Sequence, residues 1–74
     1  MKRFFFDYTK KDQLLLDYRG NEFHSSHAAI DFAKAIAQDL KHRICDDWNG
    51  WSVEVRNVEG QKFFSLPVES AGLQ

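Results

Sequence analysis

Residues 3–8, Arg-Phe-Phe-Phe-Asp-Tyr, alternate with a period of two. As a strand they put Phe4, Phe6 and Tyr8 on one face and Arg3, Phe5 and Asp7 on the other. The polar stretch 9–13, Thr-Lys-Lys-Asp-Gln, suits a turn, and 14–18, Leu-Leu-Leu-Asp-Tyr, returns as a second strand with Leu14, Leu16 and Tyr18 inward. Arg19-Gly20-Asn21 breaks the pattern. From 26 to 45 the period lengthens. Ala29, Ala33, Ile36, Leu40 and Ile44 form a helical stripe widened by Phe32 and Ala37, with His27, Asp31, Lys34, Gln38 and Lys41 opposite. Ser25 or Ser26 is the expected N-cap. Such a helix would be about 30 Å long.

After a loop over 46–50, residues 51–57 alternate most cleanly, with Trp51, Val53 and Val55 against Ser52, Glu54 and Arg56. Asn57–Gly60 suits a turn, and 62–68 forms the last strand. Pro67 has no N–H to give a ladder, so that strand lies at an edge. Residues 69–74 are expected to fray. The pattern predicts one α+β domain over 1–74, of order ββαββ. A single long helix packs on one face of a four-stranded, mainly antiparallel sheet. The buried character of the first and third strands places them centrally, in the order second, first, third, fourth.

Length sharpens this picture. A chain of 74 residues buries only about 60% of its unfolded surface and has a thin stability margin. The one cysteine, Cys45, excludes an internal disulfide. A free thiol, with an apolar run that stops at Asp7, predicts a cytoplasmic protein. No stretch reaches the roughly 18 apolar residues of a membrane span. The net charge of −1 favours neither nucleic acid nor acidic ligands.

Candidate chemistry is sparse. His24 and His27, and His42 and Cys45, are each three apart, but the pairs sit at opposite ends of the helix and cannot share one ion; no metal is expected. Cys45 at a helix C-terminus meets a field that disfavours the thiolate. Asp46-Asp47 has no base, nucleophile or oxyanion site beside it. The glycines are scattered at turns rather than gathered in a phosphate loop. The sequence therefore predicts a non-enzymatic protein without cofactor. Trp48 and Trp51 flank the Asn49-Gly50 turn, and one of them is a candidate for exposure.

Three short motifs carry a family resemblance. Arg3-Phe4-Phe5-Phe6-Asp7 is similar to an R-Y-F-F-D opening. Asp17, Gly20 and Glu22 resemble D-x-x-G-x-E, and Trp51-Ser52-Val53-Glu54-Val55 with Asn57 and Gly60 resembles W-x-V-E-V-x-D-x-x-G. Together they resemble a family of small bacterial proteins classed as a domain of unknown function. The resemblance implies the ββαββ fold and a bacterial cytosolic setting, and it implies no activity. The chain departs from the family's acidic helix start, where His24, Ser25 and His27 stand.

The aromatic content gives the one functional lead. Seven Phe, two Trp and two Tyr are difficult to place on the single core face of a two-layer domain. Strict alternation turns Phe5, Leu15 and Phe63 outward, with Arg3 and Arg56 at their rim. These five residues are the candidate interaction surface, an apolar patch with charged borders. It suits self-association or another protein partner; the ββ-then-α order loosely resembles small antitoxin domains. Single-stranded nucleic acid could stack on such rings, but Asp7, Asp17 and Glu54 on the same face oppose it.

Overall fold

The computed structural model describes residues 1–43 and 48–70. Strand β1 (Lys2–Lys10) turns into β2 (Gln13–Leu15), and β3 (Asn21–Phe23) precedes helix α1 (Ser26–Lys41). Strands β4 (Ser52–Asn57) and β5 (Lys62–Pro67) follow, and a 3₁₀ turn over Val68–Ser70 closes the described chain. All pairings are antiparallel, in the path β2-β1-β4-β5, with β3 also paired to β1. The class is the α+β one expected, with β1 and β4 central, but the sheet has five strands rather than four.

The fifth strand comes from the segment 16–23. The expected second strand over 14–18 stops at Leu15, and the chain loops out and rejoins the same edge of β1 as β3. Thus β2 covers the C-terminal third of β1 (Tyr8↔Leu15), and β3 covers its start (Phe4↔Asn21). The turn Lys11-Asp12 has two residues, with Lys11 at φ 28°, the positive φ that a two-residue hairpin turn demands at its first position.

The helix begins as its sequence dictates. Ser25 is the N-cap, and its Oγ accepts the Ala28 N–H at 3.2 Å. Ser25→Ala should cost about 1 kcal/mol, read as a lower urea midpoint with an unchanged slope. The helix ends at Lys41, capped at His42, and is shorter than the expected 26–45. Cys45, Ile44 and the Asp46-Asp47 pair lie outside the described residues, as do 71–74 of the tail; Glu69 and Ser70 belong to the 3₁₀ turn.

The buried face of α1 is Ala29, Ala33, Ala37 and Leu40. Three alanines bring the helix backbone close to Val53 and Val55 of β4, both fully buried. Phe4, Phe6, Trp51 and Val68 complete the core. Larger rings fill the flanks where the helix leaves the sheet. Phe6 meets Phe23 and Phe32 at centroid distances of 5.8 and 5.2 Å, and Trp48 sits between Tyr8 (5.8 Å, tilted) and Trp51 (5.2 Å, edge-on). Trp51 is buried and Trp48 half-buried.

Candidate interaction surface

The five residues singled out by alternation do not lie together. Phe63 sits where the β4–β5 register shifts: Val55 faces Phe64 while Arg56 faces Lys62. This bulge absorbs one residue and returns Phe63 to the helix side, where its ring meets Phe4 edge-on at 5.6 Å. Leu15 is also on the helix side, because it stands directly opposite Tyr8; Leu14, expected inward, pairs with Thr9 on the outer face. Only Arg3, Phe5 and Arg56 share the outer face.

There they build a closed cluster. Asp7, fully buried (0% exposed), accepts the Arg56 Nε–H at Oδ2 (2.8 Å) and Nη2–H at Oδ1 (3.1 Å). Its Oδ1 also accepts the Asp17 N–H at 2.9 Å. Burial pushes the Asp7 carboxyl upward, but the Arg56 guanidinium, the Asp17 N–H and Lys62 together outweigh it and hold the group below its ordinary 3.8. Arg56 donates in turn to the Asp17 carbonyl (3.0 Å) and lies 4.7 Å above the Phe5 ring centroid.

Asp17 fills the gap between β2 and β3. Its Oδ2 accepts the Phe6 N–H at 3.1 Å, standing in for the strand carbonyl missing there. Its Oδ1 accepts the N–H groups of Arg19 and Gly20, each at 3.1 Å, which closes an Asx-type turn. Gly20 then lies on the Phe5 ring, and Arg3 ties the loop down through the Arg19 carbonyl (2.7 Å) and Glu22 (3.3 Å). Phe5 is therefore half-buried beneath a loop and a guanidinium, and the outer patch is not an open one.

Open apolar surface lies at two places: Met1, Val58 and Phe63 beside the start of β1, and a longer run at the β2 end. Leu14, Leu15 and Leu16 are 50%, 49% and 42% exposed, Tyr18 is 86% exposed and Phe32 39%. Leu15 and Leu16 line a groove whose floor is Phe6 and Tyr8 and whose far wall is Phe32 and Ile36 of α1. Leu14, Leu16 and Phe32, expected in the core, are thus partly in water. Three consecutive leucines, which cannot all face inward from one strand, were the signal for this strip.

Among the described residues no group of three or more His, Cys, Asp or Glu side chains could hold a metal ion, and no helix is long and apolar enough to cross a membrane. His27 stands 3.6 Å from Asp31 on the exposed helix face. A cleft beside the start of β1 is lined by the apolar Met1, Phe4, Val58 and Phe63 and by the polar Lys2, Arg3, Ser26, Asn57 and Glu59.

Compared with known proteins, residues 3–69 match the sequence profile described as "Domain of unknown function (DUF6894)". No curated protein and no solved structure matches the chain.

Proposed function

The chain belongs to the DUF6894 family, and we propose from its geometry that it is a non-enzymatic protein-interaction module of the bacterial cytoplasm. The carrying observation is the exposed strip Leu14-Leu15-Leu16 with Tyr18 and Phe32. Half-exposed leucines on three successive positions make the rim of the β2 edge apolar on both sides: Leu15 and Leu16 share the groove with Phe32 on the helix side, and Leu14 opens on the outer face. The exposed charges of Lys11 and Asp12 stand at its turn end.

The residues of the family-like motifs support this division of labour. Arg3, Phe5, Asp7, Asp17, Gly20 and Glu22 are engaged with one another and with Arg56 beside them, and Asn57 Oδ1 accepts the N–H groups of Glu59 and Gln61 in the β4–β5 turn. These side chains make the fold and leave the leucine strip to act. The nucleic-acid alternative weakens for the same reason: Arg56 is held by Asp7, and Arg3 by Glu22 and the Arg19 carbonyl.

A photo-crosslinking residue in place of Leu16 tests the proposal in a bacterial host. A protein adduct is expected from position 16 and none from position 34, on the polar helix face. No adduct from position 16, or equal yields from both, overturns it.

A further inference from the structure

We infer that the occupant of this strip is a second copy of the chain, docked antiparallel along the free edge of β2 about a two-fold axis at Leu14. The inference rests on reading the leucine strip as a docking surface, and it follows from how differently the sheet's edges are protected.

Exposed edges invite pairing, and proteins blunt them with charge, proline, bulges or abrupt turns. Strand β5 carries all four. Its register shifts at Val55/Arg56, Lys62 is paired with Glu54 at 3.1 Å, Pro67 offers no N–H, and the chain turns into the 3₁₀ segment at Val68. The short β3 carries Glu22, tied to Arg3. By contrast, Gln13-Leu14-Leu15-Leu16 has no charge, no proline and no bulge.

The hairpin fixes which groups this edge offers. The two-residue turn makes Lys10 and Gln13 a hydrogen-bonded pair, so Tyr8 and Leu15 bond next and Leu14 turns its N–H and C=O away from β1. Phe6 follows the same alternation, its N–H pointing toward this edge and meeting Asp17. An antiparallel copy centred on Leu14 satisfies both outward groups reciprocally, as a two-fold interface requires. It sets Leu14 against its own equivalent on one face and brings the two Leu15 side chains near each other on the helix face. It also sets Lys11 of one protomer toward Asp17 of its partner, a pair of opposite charge. Two hydrogen bonds and a short apolar seam make a small interface, weak by the standards of stable dimers.

Sedimentation equilibrium between about 10 µM and about 1 mM, the range suited to a small interface, reads the outcome. The average mass should rise from 8.7 kDa toward twice that value. In the same samples the Leu14 amide should exchange more slowly at the higher concentration. Leu14→Lys should weaken association at least about tenfold with an unchanged urea midpoint, since half of the Leu14 side chain is already in water. A mass that stays monomeric at about 1 mM, or a Leu14 amide indifferent to concentration, overturns the inference. A dimer that survives Leu14→Lys overturns the edge geometry. A monomer whose position 16 still crosslinks to a different protein sinks the second-copy partner and leaves the interaction module standing.

Discussion

Arg56→Met should destabilise the fold by about 3–5 kcal/mol, comparable to the whole stability of a chain this small. The reason is the partner left behind. Asp7 is fully buried, and its carboxylate loses two of its three donors when the guanidinium goes. The reverse change is milder. The Arg56 side chain is 22% exposed, so in Asp7→Ala it can turn toward water, and the expected cost is about 1–3 kcal/mol, much of it the orphaned Asp17 N–H. The double variant should cost less than the two single changes combined, with a coupling of up to about 3 kcal/mol.

The pH dependence separates a charge effect from simple loss of packing. In the parent, Asp7 titrates below its unfolded value of 3.8. Its contribution is fully present above that value and is lost as pH falls through the folded pKa. Without Arg56, burial dominates and raises the folded pKa. The penalty is then largest at neutral pH and is relieved as pH falls through the raised value. Urea midpoints should therefore fall on acidification below about pH 4 in the parent, whereas Arg56→Met should gain stability between neutrality and mild acid. Parallel pH profiles for the two proteins would show that the loss does not arise from an uncompensated Asp7 charge.

This ionic cluster also marks the boundary of what alternation could reveal. Where strand residues obey a strict period of two, as in β1 and β4, the inward set Phe4, Phe6, Val53 and Val55 was legible, and so was the central pairing. The Ser25 cap followed from its position before the apolar stripe. Three features broke the period. The bulge between Val55 and Arg56 moved Phe63 to the core side, and no residue in KFFSLP announces it. The leucine run admitted two registers, and the two-residue turn chose the one that exposes Leu14 outward and Leu15 over the groove. The helix stopped at Lys41 although neither Gly nor Pro stands there. Long-range chemistry was the larger omission. Asp7, Asp17 and Arg56 looked like ordinary water-facing charges on the outer sheet face. Only folding brings residues 10 and 49 positions apart into one hydrogen-bonded group. The D-x-x-G spacing was the available clue, since an Asp three residues before a Gly builds an Asx turn, and a turn placed there lays its chain across Phe5.

Gly20→Ala tests that lid directly and should be as damaging as the loss of Arg56, at about 3 kcal/mol or more. Two costs combine. Gly20 has φ +72°, a left-handed conformation that costs an ordinary residue about 1–2 kcal/mol. A Cβ built on it would also stand 2.8 Å from the Phe4 carbonyl oxygen and 3.0 Å from Cδ1 and Cε1 of Phe5. Neither neighbour can yield cheaply. The Phe4 carbonyl belongs to central strand β1, where Phe4 pairs with Asn21 on one side and Asn57 on the other. The Phe5 ring is confined from above by Arg56 at 4.7 Å. Gly60 supplies the control, because it has a similar φ of +84° with nothing within 4 Å of its virtual Cβ. Gly60→Ala therefore carries the backbone cost alone, about 1 kcal/mol. The gap between the two urea midpoints measures the steric contact. Equal midpoints would mean that the loop over Phe5 is free to lift, and that the outer face is open after all.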